Sequence, residues 1–180
     1  PAAQQFIVVS RPDESGRLTR EEQDPEPKGA PRLYLEFWTQ FREHMESTDS
    51  SLSLPTPGPR GWFPISIGRS RFGVNATLSV QKGYVGCELY VGGPNANLAF
   101  SLLQRQREDV ESKVGYSLEW EPPSDRNDCR IAVYREDGAE LERREDWQSH
   151  CGWLKDHCES FVDVFGPRVR VKELDLRTED

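Results

Sequence analysis

Long apolar runs are missing from this sequence. No stretch approaches the roughly 18 consecutive apolar residues of a membrane span, and no basic-then-apolar leader with a small-residue cleavage site is present. A cytoplasmic protein without membrane contact is the expectation. Also missing are a G-x-S-x-G elbow, a P-loop and a dinucleotide G-x-G-x-x-G, so no catalytic residue is assigned and no cofactor is expected. Cysteine is sparse: Cys87, Cys129, Cys151 and Cys158 sit inside apolar periodic stretches, not at the loop spacings of a disulfide scaffold. Buried free thiols are predicted.

The most informative absence is local. From Ser50 to Cys87 there is no Asp or Glu, while Arg60, Arg69, Arg71 and Lys82 lie within it, in a chain of formal net charge −8. The overall charge opposes bulk attraction to nucleic acid, so any such contact has to be local. Those four cations, with Trp62 and Phe72 for stacking against bases, form a candidate nucleic-acid-binding set. The competing reading is that they balance acidic helices nearby and keep the strands soluble.

The same stretch carries the clearest strand signal. Phe72, Val74, Ala76, Leu78 and Val80 alternate with polar or small residues, predicting one apolar face and one that can meet water. Gly83 permits the positive φ of a turn, after which Val85, Cys87, Leu89 and Val91 share one side of a second strand. Phe63–Ile67 reads as a shorter strand, its proline suited to a strand start or an edge.

With 35% hydrophobic and 30% charged residues, part of the 180-residue chain is expected to be exposed or loosely ordered. Gln5–Ser10 reads as an isolated strand that residues further upstream would pair, and Asp13–Pro31 as an acidic, Pro-containing linker. These make up a segment 1–31, expected to join the domain to an upstream one missing from this sequence. Leu33–Glu46 reads as a helix with Leu35, Trp38, Phe41 and Met45 inward and Tyr34 and Phe37 widening the stripe. A second helix is expected from an Asn95 N-cap to Gly115, strands over Tyr116–Glu121 and Cys129–Arg135, and a third helix over Asp146–Phe165 ended by Gly166-Pro167. The predicted fold is α+β, order α-β-β-β-α-β-β-α, an antiparallel sheet with helices on one face, spanning 32–172 with a tail at 173–180.

Three constellations resemble sites. His150-Cys151 and His157-Cys158 repeat at seven residues, about 10.5 Å along one helix, too far apart to ligate one ion without further ligands from Cys87 or Cys129. The cysteines read as core, the histidines as flanking it. Glu111-Ser112-Lys113 fits half of a nuclease E-x-K signature but falls mid-helix, where a charged face is the simpler account. Glu119 and Glu121 share one side of a strand with no basic partner beside them in sequence.

The order Tyr34-Leu35-Glu36-Phe37-Trp38, Ile65-Ser66-Ile67-Gly68-Arg69-Ser70, Cys87-Glu88-Leu89-Tyr90-Val91, Leu118-Glu119-Trp120 and the helix ending Phe165-Gly166-Pro167-Arg168 resembles a bacterial and archaeal domain family of unknown function. In that family the domain commonly follows a restriction-endonuclease-like nuclease domain. The resemblance implies a non-catalytic C-terminal accessory domain, in phage defence or DNA processing, and transfers no catalytic residue. Nucleic-acid or target recognition is therefore one reading. A protein-interaction or homodimerisation domain that docks a nuclease-like partner is a second. The third is an enzyme gathering His44, His150 or His157 with the strand carboxylates.

Overall fold

Alternating apolar residues build the centre of the molecule. The computed structural model describes residues 28–123, 125, 127–135 and 140–174. Among them the order is α1 (Ala30–Ser47), β1 (Trp62–Ser66), β2 (Phe72–Ser79), β3 (Tyr84–Gly92), α2 (Ala96–Gln104), α3 (Arg107–Val114), β4 (Glu119–Glu121), β5 (Asp128–Arg135) and α4 (Trp147–Val169). The five strands form one antiparallel sheet, β1-β2-β3-β5-β4, so the expected α+β class holds. The strand expected over Gln5–Ser10 lies outside the described residues, as does the linker as far as residue 27.

Val74, Ala76 and Leu78 of β2 pair across with Leu89, Cys87 and Val85 of β3, and all are buried. Gly83 turns between the strands at φ 65, its N–H bonded to the Ser79 carbonyl at 3.0 Å. Against this face lies α4, whose Cys151, Leu154, Cys158, Phe161 and Phe165 are buried; Cys158 Sγ is 3.6 Å from Cys87 Sγ. All four cysteines are buried free thiols. Burial pushes the Cys151 and Cys129 thiols up to about 12, so neither is a nucleophile at neutral pH.

The first helix seals one end. Trp38 packs on Phe37, Phe41 and Phe63 at ring distances of 5.1, 5.8 and 5.6 Å, and Phe37 reaches Trp147 of α4 at 5.3 Å. The stripe is centred on Tyr34, Phe37, Trp38, Phe41 and Met45, whereas Leu35 is 42% exposed. Tyr34 and Leu35 are about 100° apart on the helix, and the stripe that buries the more aromatic area wins.

Other boundaries also differ from expectation. The helix expected over Asn95–Gly115 breaks into α2 and α3, because Gln104–Asp109 supplies no apolar side chain to hold that turn on the core, while Glu108 and Asp109 suit a fresh N-terminus. Strand β4 is three residues long. The Leu118 N–H goes to Glu111 Oε1 at 3.0 Å, which also accepts from Trp120 Nε1 at 3.0 Å and Arg107 Nε at 3.1 Å. Glu111 thus clasps the strand to α3, and these hydrogen bonds hold its carboxyl below the usual range. Helix α4 runs through Gly166-Pro167 to Val169. Proline forfeits only the bond to the Asp163 carbonyl, on an exposed turn, and Gly166 has no Cβ to meet the proline ring.

The polar side of the sheet is not the water-facing surface that the alternation predicts. Asn75, Thr77 and Glu88 are 6%, 0% and 2% exposed, Asp128 and Arg130 4% and 7%. Register places Asn75, Glu88 and Arg130 in adjacent cross-strand rows: Asn75 opposite Glu88 opposite Ala132, and Tyr90 opposite Arg130 opposite Glu121. Asn75 Nδ2 donates to Glu88 Oε1 at 3.1 Å; Arg130 pairs with Glu88 at 3.8 Å and with Asp128 at 3.2 Å, its guanidinium 5.1 Å from the Tyr90 ring centre. Tyr134 lies so close over Gly86 that a Cβ there would be 2.5 Å from its ring.

His157 of α4 stacks on Trp153 at 3.7 Å and packs beside Tyr116 at 4.8 Å. Burial holds its pKa below the ordinary value, against a smaller opposing effect of its 2.7 Å hydrogen bond to the Trp153 carbonyl. A depressed folded-state value means that the unfolded chain takes the proton first. His157's contribution is therefore complete above about pH 6.5 and is lost as pH falls from there through the lower folded-state value. Urea midpoints should drop between about pH 7.5 and about pH 5.5 by more in the parent than in His157→Gln. Equal drops would show that His157 does not carry the effect.

Candidate nucleic-acid interface

The six residues singled out from sequence fall at two ends of the sheet. Arg60, Trp62 and Lys82 stand near the β2–β3 turn, with Trp62 opposite Thr77, whereas Arg69, Arg71 and Phe72 stand where Phe72 meets Val91. Between about 17 Å (Trp62) and about 24 Å (the turn) of β2 separates them, taking about 3.4 Å per residue. Trp62 is 4% exposed, so it presents no open face for stacking. Lys82 is exposed on the hairpin turn, its N–H bonded to Ser79 Oγ at 3.1 Å.

At the other end Arg69, Arg71 and Phe72 are brought together. They line a pocket of about 490 Å³ with Ser53, Leu54, Pro55, Pro64, Ile65, Ser66, Ser70 and Gly73. Leu54, Pro55, Ile65 and Phe72 give it apolar walls; the two arginines and three serines supply the polar groups. Every lining residue belongs to the acid-free stretch, so no carboxylate enters the pocket wall. Concave volumes of about 300–1,000 Å³ with a few convergent polar groups are typical of ligand sites.

The turn that builds this pocket is locked to the end of α4. Arg69 Nη1 donates to the carbonyl of Val169, the last residue of α4, where no intrahelical donor follows, and to that of Val171 at 3.1 Å, which also accepts the Leu174 N–H. Arg170 returns the contact, its Nη2 donating to the Ile67 carbonyl at 3.1 Å. Arg69 also lies over the Phe72 ring, 5.4 Å from its centre. Arg69 is thus first a clamp, and the exposed Arg71 is the cation presented outward. Arg71 holds φ 68, a left-handed conformation costly for a residue with a Cβ, fixed by the Gly92 N–H bonding its carbonyl at 2.9 Å. Its guanidinium lies against Gly93, where a Cβ would come within 2.1 Å of Nη1.

Sequence reasoning missed Arg170 as a member of this basic end. Its only signal was the basic alternation after Pro167, and its distance along the chain concealed the meeting. The remaining candidates stay apart. His44 is on α1 and His150 and His157 are on α4, while Glu119 and Glu121 point from β4 to the sheet face opposite the helices. Among the described residues no three His, Cys, Asp or Glu side chains converge as metal ligands. Nor is any helix among them long and apolar enough to cross a membrane.

Five antiparallel strands with helices on one face, and a pocket with no carboxylate in its lining at the end of the first hairpin, define an α+β domain. The chain belongs to the family described as Domain of unknown function (DUF4268), whose model matches residues 33–169. No curated protein and no solved structure matches it.

Proposed function

We propose that this domain is a non-catalytic nucleic-acid recognition module whose phosphate contacts come from the basic end of the sheet. The reading rests on one observation: Arg69 and Arg71 converge, beside Arg170, on a pocket walled entirely by the acid-free segment. In a chain of charge −8 this concentration gives an anion one favourable approach. In this reading the domain delivers a partner activity, of the nuclease type that the family resemblance implies, to its substrate in DNA processing or phage defence.

The sheet edges favour this over strand-to-strand docking. Pro64 lies in the middle of edge strand β1, and β4 at the other edge has three residues, so neither offers an unbroken ladder. Titration of the 180-residue chain with single- and double-stranded DNA and with RNA should show binding at low salt. The affinity should fall log-linearly with salt, and Arg71→Ala should reduce the slope by about one phosphate contact. No binding to any of the three at low ionic strength would end the proposal.

A further inference from the structure

The pocket does more than present charge, and this carries the preceding reading one step further. Phosphate contacts alone need an exposed basic ridge. Here the cations stand beside a cavity of about 490 Å³ walled by Leu54, Pro55, Ile65 and Phe72. An anion that is polar throughout gains nothing from such walls, and burying it against them costs solvation. The occupant that fits carries a planar apolar body next to an anionic group, as a nucleotide does. Phe72 is only half-buried, unlike Trp62; Arg69 covers one face of its ring, and a base would stack on the part that stays accessible. A base within a duplex is stacked and paired and cannot enter a cavity; a base in a single strand can.

We infer that the pocket takes one unpaired base of a single-stranded nucleic acid, with Arg71 on the adjacent phosphate. Single strands are then preferred to duplexes, and the preference resides in the walls, not in the net charge. The serines supply hydroxyls to base edges at Ser53, Ser66 and Ser70, with Ser66 Oγ already accepting the Gly68 N–H at 3.3 Å.

The test uses the full chain and four probes of equal phosphate number: a single-stranded DNA, the same sequence as RNA, a DNA duplex of half that length, and an abasic strand. Competition by a poly-glutamate of matched charge completes the set. The single strands should bind about tenfold more tightly than the abasic strand, since stacking one base on an aromatic side chain contributes that order of affinity. Phe72→Leu, which keeps an apolar wall but removes the ring, should cut this ratio severalfold while leaving the salt slope unchanged. Arg71→Ala should do the reverse, lowering the slope and keeping the ratio. Equal binding of base-bearing and abasic strands, or equal competition by poly-glutamate, would overturn the base pocket while leaving phosphate recognition standing. Absence of binding to every probe would overturn both.

Discussion

Replacing Arg130 by methionine should destabilise the domain by about 3–5 kcal/mol, as expected when one partner of a buried ion pair is removed. The side chains of Arg130, Glu88 and Asp128 are 8%, 3% and 5% exposed. In the parent the guanidinium answers two carboxylates at once, 3.8 Å from Glu88 and 3.2 Å from Asp128. Methionine matches much of the volume and can still lie on Tyr90, so lost packing contributes little and the deficit reports mainly the loss of the cation from two buried carboxylates. Two comparisons isolate that cause. Glu88→Gln in the methionine background should recover part of the loss, because a neutral amide is cheaper to leave buried than a carboxylate. Arg130→Lys, a point charge without the fork that spans both acids, should fall between parent and methionine. Urea unfolding of the four proteins gives the answer; a deficit under about 1 kcal/mol for Arg130→Met would mean that the charges are solvated and the pairing is incidental.

That network also marks where sequence reading stops. Alternation in β2 and β3 gives the helix-facing set without error from Val74 to Leu78 and from Val85 to Val91, because one buried apolar face dictates register. It says nothing of how Asn75, Glu88 and Arg130 are neutralised, since their partners are fixed by strand order, with β5 beside β3 and β4 outside it. Helix α4 is legible by its steps through Cys151, Leu154 and Cys158, but its end is not: the Gly166-Pro167 stop signal is outweighed by packing at Val169 and by the clamp from Arg69. For the candidate site, charge along the chain singled out Arg69, Arg71 and Phe72, which do meet. It grouped with them Arg60, Trp62 and Lys82, which a strand's length holds away. A linear window records charge density; a hairpin sends the two halves of that density to opposite ends. Leu54 and Pro55, which complete the pocket, came from a loop with no signal beyond its composition.

Trp38 links core stability to that pocket, and its removal is expected to have the second large effect. Trp38→Ala should cost about 3–5 kcal/mol, the usual range for deleting a buried aromatic side chain. The ring is 0% exposed and packs against Phe37, Phe41 and Phe63, so the cavity would open where α1 meets β1. The more telling variant is Trp38→Phe. It keeps most of the apolar contact but loses the 2.7 Å hydrogen bond from Nε1 to the Arg60 carbonyl, which costs about 1–3 kcal/mol if that carbonyl finds no other donor. This bond fixes Arg60, in the loop two residues before β1 begins. The same loop carries Ser53, Leu54 and Pro55, the wall of the pocket facing Arg71 and Phe72. Loosening it should weaken single-strand binding severalfold although no pocket residue has changed. Phe161→Leu, in the core under α4 and outside the pocket wall, supplies the comparison: it should lower stability and leave affinity intact below the unfolding transition. If both variants weaken binding in proportion to their lost stability, the loop is not positioned by Trp38. If Trp38→Phe alone does so, the hydrogen bond holds the recognition surface in place.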